Sequence, residues 1–493
     1  MAATRDSASD SNRVRPWIAW LRDDLRLRGH AAVTAAAQRG KVLPVFVLED
    51  APRRRAPGAA ACWWQRLSLA SLARDIGALG GRLLVRRGTP ETVLAELAAD
   101  THAAGICCQR SYDAGGRDDE SAVRRALRGP TRLETCDGDM LVDPASVLTA
   151  AGGPYRVFTP FWRALRKRVG AADGSPATQA QRIEWFTHFG HGEEIDRISV
   201  PDERFGWTQS LARHWTPGED AARHALAAFH SDGIATYEDD RNTPGMQGTS
   251  RLSPHLRFGE IGIREAWDTI AGLRTDSAIA PNQCEAWLRE LGWREFCRYL
   301  VFHFPDLPTA NFRSEFDRFQ WQDDADGLTA WQHGNTGYPL VDAGMRELWH
   351  TGWMHNRVRM VVASFLTKHL RVHWRAGEAW FWDTLIDADY ASNPANWQWT
   401  AGTGADAAPY FRIFNPSTQA QKFDAQGHYI RRWVPEIAEL SGSALHQPWL
   451  ARESELRAAG IVLGETYPLP IVDHSNARAA ALAAHAELRS KSR

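Results

Sequence analysis

The chain has no CxxC pair. Its six cysteines, Cys62, Cys107, Cys108, Cys136, Cys284 and Cys297, are scattered, so a zinc site has no ligand set to draw on. Free thiols without a secretory leader point to a reduced, cytoplasmic setting. No apolar run reaches the roughly 20 residues that cross a bilayer. The polar start over residues 1–15 lacks the apolar segment of a signal peptide and reads as a disordered tail. An excess of either charge is missing as well: 58 Lys and Arg stand against 59 Asp and Glu, a formal net charge of -1. That excludes a protein basic all over and leaves room for a local patch meeting a polyanion. No GxGxxG follows the first strand-like run, where LRDDLRLRGH stands instead. An ordinary dinucleotide-binding Rossmann site is therefore disfavoured. Internal repeats are absent too.

Tryptophan is abundant, with 22 in 493 residues. A chain of that length makes two or three domains with an ample core. An indole either packs in such a core or stacks on a planar ligand. Short β-rich runs at 17–21 (WIAWL), 42–48 (VLPVFVL), 82–85 (RLLV), 105–109 (GICCQ) and 131–135 (TRLET) alternate with helical periodicity at 31–39, 63–79, 90–99 and 117–127. The alternation predicts an α/β domain over 16–140, Rossmann-like, with a doubly wound parallel sheet. Residues 141–216 break into Gly, Pro and charge and read as an interdomain linker, 155–170 being its best-structured piece. From 217 to 493 the apolar periods are helix-length and predict an all-α C-terminal domain.

The densest stretch is 387–416, DADYASNPANWQWTAGTGADAAPYFRIFNP. It sets Asp387 and Asp389 near Asn393, Asn396, Trp397 and Trp399, then runs through Gly402 and Gly404 to Tyr410, Phe411, Arg412 and Phe414. This is either a ligand site or a Trp-rich helix junction with capping carboxylates. Upstream, Thr249, Ser250, Arg251, Leu252 and Ser253 follow Tyr237 and Arg241. Hydroxyls, free N–H groups and an Arg at a helix start suit a phosphate, and equally make a plain cap. In 287–300, WLRELGWREFCRYL, helical spacing puts Trp287, Glu290, Arg294 and Cys297 on one face with Trp293 beside Glu290. Glu290 there pairs with Arg294 or hydrogen-bonds a ligand. In 351–360, TGWMHNRVRM, Asn356 offers donor and acceptor to a planar base edge, and Arg357 and Arg359 point to different sides of the helix. His355 reads as an ordinary packed or surface histidine. Trp321, Trp374 and Trp397 flank these motifs and fit either core packing or an electron relay.

Together, from WLRDDLRLRGH at Trp20 to PLPIVDH near Pro470, these motifs resemble the photolyase/cryptochrome family, and within it the class I cyclobutane pyrimidine dimer photolyases. The likeness is strongest in GTSRLS, WLRELGWREF, TGYPLVDAGMREL, TGWMHNRVRM and WQWTAGTGADAAPYFRIFNP. It implies a bent FAD in the helical domain, with its phosphates on Thr249, Ser250, Arg251, Leu252 and Ser253. Tyr237, Trp287, Glu290, Arg294, Trp353 and Asn356 would line the cavity. Asp387, Ala388 and Asp389 would approach the flavin and adenine–ribose portions, with Arg359 paired to Asp387. Asn393 falls where such photolyases set an Asn against the flavin ring nitrogen that gains or loses a proton. Plant-type cryptochromes carry Asp there, so Asn393 favours repair over signalling. Trp397, Trp374 and Trp321, in that order, match the family's relay from flavin to surface. Glu290 and Asn356 would contact the thymine edges of the dimer, Trp293 and Trp399 its faces, and Met360 the same pocket. Arg241, Arg294, Arg357, Arg412 and Lys422 would face the DNA phosphates.

The implied activity is light-dependent DNA repair by a carbon–carbon lyase acting as a monomer on UV-damaged DNA, without a membrane partner. A cryptochrome-type blue-light photoreceptor is the alternative, and the chain stops at Arg493 without the long polar tail that would favour it. The resemblance weakens at the antenna. Residues 113–116, DAGG, stand where folate-binding members carry an amide–acid pair, and the family's lysine contact is missing near Pro308 and Thr309. A second, light-harvesting chromophore is expected in the N-terminal sheet, with methenyltetrahydrofolate, a deazaflavin or an empty site all open.

Overall fold

The computed structural model of the chain describes residues 15–171, 182–275, 279–406 and 411–490. The tail expected over 1–15 falls almost wholly outside them, as does Tyr410. Five strands, β1 (Trp17–Leu21), β2 (Val42–Leu48), β3 (Leu84–Arg87), β4 (Gly105–Gln109) and β5 (Leu133–Cys136), form one parallel sheet in the order β3-β2-β1-β4-β5. The central strand is apolar throughout because both its faces are covered. Ile18 and Trp20 pack into one core cluster and Ala19 and Leu21 into the other, as the two-residue period of a strand requires. Strand β3 begins two residues later than the RLLV run suggested. Arg82 instead lies over the Phe189 ring and donates to the Phe189 and Gly190 carbonyls.

The sheet grows from β1 through β2 to β3 on one side and from β1 through β4 to β5 on the other. At that reversal the carboxyl ends of β1 and β4 leave a crevice, lined by Arg22, Asp23, Gln109, Ser111, Arg298 and Tyr390. The last two belong to the helical part, so the crevice opens onto the seam between the two halves. Trp64 closes that seam. It donates to Glu260 (3.0 Å) and packs against Trp215, His255 and Phe258.

Within 141–216 the Phe158–Ala171 helix does more than connect. Phe158, Phe161, Trp162 and Leu165 share a core with Trp287, Leu291, Phe296 and Tyr299 of the long Pro281–His303 helix. The close approach needs Gly292, where a Cβ would collide with the Trp162 ring. A second cluster joins the Pro339–Thr351, Asn356–Ser364, Trp374–Thr384 and Ser392–Ala401 helices. Gly292→Ala should lower the unfolding free energy by about 1–3 kcal/mol through overpacking. Chemical denaturation measures it, and an unchanged midpoint would contradict this seat for the linker helix.

Candidate functional site

Residues 249–253 lead into the one-turn Ser253–Arg257 helix. Trp287 donates its indole N–H to Ser250 Oγ (3.3 Å), and Trp353 donates to Ser253 Oγ (3.2 Å). Arg251 sits between them with φ +52°, a left-handed conformation uncommon outside glycine. Its guanidinium lies 4.1 Å from the Trp215 ring and 5.0 Å from Trp353. Burial lowers its pKa, and its Nε is buried without a described partner. A cation with an unmet donor in an aromatic notch requires an anion. The donor set therefore fits a pyrophosphate, as FAD would supply.

Beside this loop, Phe229 packs edge-on to Tyr237 (5.5 Å) and against Trp287 (5.8 Å). Arg241 lies over the Tyr237 ring (5.2 Å) and pairs with Glu290 (2.5 Å). The expected Glu290–Arg294 pair is not formed. Arg294 turns instead to the Asp139 carbonyl (3.0 Å), the Asp139 carboxylate (3.1 Å) and Glu295 (3.0 Å). Glu295 is fully buried and its pKa is pushed up to about 7 by that burial, so it needs the adjacent cation. Arg294 thus leaves the DNA-facing set. Trp293 stacks one face on Phe158 (3.7 Å, 6°) and is half-buried.

The Asn356–Ser364 helix starts just after Gly352, which ends the preceding helix at φ +65°. Asn356 is exposed at its first position, and Met360 is half-buried one turn on. Arg359 turns inward, with bonds of 3.1 and 2.8 Å to Asp387, the pairing expected of it, and reaches over Trp353. Arg357 turns outward, to Asn242 (2.5 Å) and over Phe423. Its pKa is lowered by burial first and then by repulsion from Arg241 and Arg412, so three guanidiniums crowd one face. Arg412 and Lys422 are exposed next to Phe414 and Phe423.

In the 387–399 stretch, Ala388 is buried and its carbonyl accepts from Arg257 (2.8 Å). Asp389 is buried, with both oxygens engaged within the chain. One oxygen takes Arg298 (2.7 Å) and the other caps the next helix through the Ala391 and Ser392 N–H groups. These partners outweigh desolvation and hold its carboxyl well below the usual range. Asn393 donates Nδ2 to the Glu378 carboxylate (2.7 Å) and carbonyl (3.1 Å). Trp397 is buried against Phe381 (5.0 Å) and Trp331 (6.1 Å), with its indole N–H unpartnered among the described residues. Trp374 is fully buried and donates to Asn311 (2.8 Å). From it, His373 (5.7 Å) leads to Trp321 (4.9 Å further), which is only partly buried. Trp374 and Trp397 are thus both buried, and Trp321 lies nearer the surface. Trp399 is half-buried. Arg298, Glu378 and Trp331 were missed in the sequence, since no local spacing marks a partner far away in the chain.

Residues 17–180 match the family model for DNA photolyase, and residues 287–487 match the FAD binding domain of DNA photolyase. The deoxyribodipyrimidine photo-lyase of Agrobacterium fabrum is 44% identical over 97% of this chain and 99% of its own. Cryptochrome-1 of Arabidopsis thaliana is 35% identical over 94% of this chain and 69% of its own. A class III photolyase structure from Agrobacterium tumefaciens superposes with a TM-score of 0.92 at 43% identity, covering 98% of this chain and 100% of that one. An archaeal photolyase from Sulfolobus tokodaii, solved with two FAD molecules, gives 0.77 at 27% identity, covering 96% and 99%. The chain belongs to the DNA photolyase/cryptochrome family, and its helical part is an FAD-binding domain. The class I placement is corrected: this likeness over the whole length is to a class III enzyme.

His355 caps its helix by accepting the Arg357 N–H on Nδ1, and its backbone N–H donates to Glu347 (3.1 Å), which also takes the Tyr429 hydroxyl (2.7 Å). Burial, with repulsion from Arg357 and Arg359, pushes its pKa down to about 4 from an ordinary 6.5. The unfolded chain therefore binds a proton that the folded chain refuses, and stability falls as pH drops from 6.5 towards 4. This one group accounts for at most about 3 kcal/mol of that loss. His355→Asn keeps a capping side chain and should flatten the pH dependence by that amount in equilibrium denaturation. An unchanged slope would contradict the buried neutral imidazole.

Proposed function

We propose that the chain is a deoxyribodipyrimidine photo-lyase, of the class III kind, which splits cyclobutane pyrimidine dimers in UV-damaged DNA under blue light. The observation that carries this reading is the cationic rim at Glu290 and Asn356. Arg357 is repelled there by Arg241 and Arg412, and like charges are gathered in this way where a polyanion will neutralise them. Near-zero net charge and DNA binding are then compatible, because the excess is local.

FAD, when bound, supplies the light-driven electron that opens the dimer and takes it back. Arg251, Ser250 and Ser253 would hold its phosphates, with Tyr237, Trp287, Trp353 and the Arg359–Asp387 pair around it and Asn393 at the ring. Glu290 and Asn356 would hydrogen-bond the thymine edges of an extruded lesion, while Trp293, Trp399 and Met360 cover it and exclude water. A damaged pair stacks poorly and is cheap to extrude, and photolyases are among the enzymes known to flip their target. Trp397, Trp374 and Trp321 would carry electrons to a flavin that has become oxidised. The crevice over β1 and β4 is where a doubly wound sheet accepts a second ligand. It supports an antenna there, with methenyltetrahydrofolate and a deazaflavin as the candidates.

Reduced protein, thymine-dimer DNA and blue light should together restore thymine absorbance. A chain with flavin bands and no such recovery would favour the cryptochrome reading. Glu290→Ala should weaken dimer binding or turnover by roughly 1–3 kcal/mol, the loss of a hydrogen bond to the lesion. Unchanged kcat/KM would remove Glu290 from the pocket. Trp397→Phe should abolish light-driven reduction of oxidised flavin and spare repair by pre-reduced enzyme. Loss of both activities together would refute that division of roles.

A further inference from the structure

The three arginines Arg53, Arg54 and Arg55 are consecutive, yet each goes to different acids. Arg53 meets Glu91 and Asp119, and Arg54 meets Asp23 and Asp113. Arg55 crosses to the helical domain and binds both carboxylate oxygens of Glu378 (2.7 and 2.8 Å). It is held there by a strap. Its guanidinium lies 4.4 Å from the Trp382 ring centroid, the Trp382 indole donates to the Ala56 carbonyl (2.8 Å), and the Ala59 N–H donates to Asp383 (3.0 Å). Gly58 lies so close to the Trp382–Asp383 backbone that a Cβ would collide with it. Residues 55–59 are thus fastened to the end of the Trp374–Thr384 helix.

Glu378 is 4% exposed and receives Asn393 Nδ2 on both its carboxylate and its main-chain carbonyl. Both are acceptors, so only the NH2 end of the amide can face them. Asn393 Oδ1 is thereby turned the other way and has no described partner. Arg55, donating to both carboxylate oxygens, fixes the Glu378 side chain in the orientation that receives the amide.

We propose that Arg55 of the N-terminal domain is a positioning residue for the flavin. By holding the Glu378 carboxylate against Asn393 Nδ2, it keeps Asn393 with Oδ1 towards the ring, ready to accept the N–H that a reduced flavin carries. This rests on the reading of Asn393 as the flavin-facing amide. The N-terminal domain then sets the redox balance of a cofactor bound in the other domain, independently of any antenna.

The test is the midpoint potential of bound FAD in the full chain, read by spectroelectrochemistry. Arg55→Gln and Glu378→Gln should each shift the equilibrium about tenfold towards the oxidised form, about 30 mV lower for the two-electron couple. The double variant should shift no further, because both act through one amide. Arg55→Lys should stay near the wild-type value. Additive shifts, or none in Arg55→Gln, would overturn the proposal; if that variant does not fold, an unchanged potential in Glu378→Gln does so. A wild-type chain that takes up no FAD would instead defeat the functional reading itself, before any variant is compared.

Discussion

A carboxylate taken out of water must meet a cation or a row of N–H donors, and that requirement orders the whole site. Asp387 meets Arg359, Asp389 meets Arg298 and two backbone N–H groups, and Glu378 meets Arg55. The three cations come from three different places: the Asn356–Ser364 helix, the Pro281–His303 helix and the N-terminal strap. Removing one partner of such a pair leaves a buried charge, typically at 3–5 kcal/mol. The 387–393 segment is therefore clamped from three sides before any ligand binds.

The same logic explains why the two halves act together. Glu260 accepts from Trp64 of the α/β part and pairs with His255 of the one-turn Ser253–Arg257 helix. Asp23, just past β1, pairs with Arg257, which also holds the Ala388 carbonyl. Both ends of the proposed cofactor cradle are thus tied to the sheet. Arg251 differs from these residues, since its Nε is buried without a described partner and Glu347 is the one acid that raises its pKa against burial. An unmet donor at the start of a helix, beside Ser250 and Ser253, suits an anionic ligand.

Much of this was legible in the residues. Period-two and helical runs located the five strands to within two residues, and the arginine–aspartate pairing of Arg359 with Asp387 is as the family likeness implied. What escaped was long-range. Arg294 lies one helical turn from Glu290, yet a buried Glu295 beside it and Asp139 far upstream compete better for its guanidinium. Arg55 and Glu378 are 323 positions apart, and no local spacing joins them. The piece at 155–170 was recognised as structured, but only the fold shows that its aromatic face completes the core of the long helix. The class within the family was also missed, and the whole-length likeness to a class III enzyme corrects it.

The account stands on a cradle built for FAD, so the most direct measurement is the flavin content of the purified full chain. Denaturing the protein and quantifying the released chromophore should give at least one FAD per chain, together with flavin absorption bands before denaturation. A colourless chain that takes up no FAD on reconstitution would contradict it.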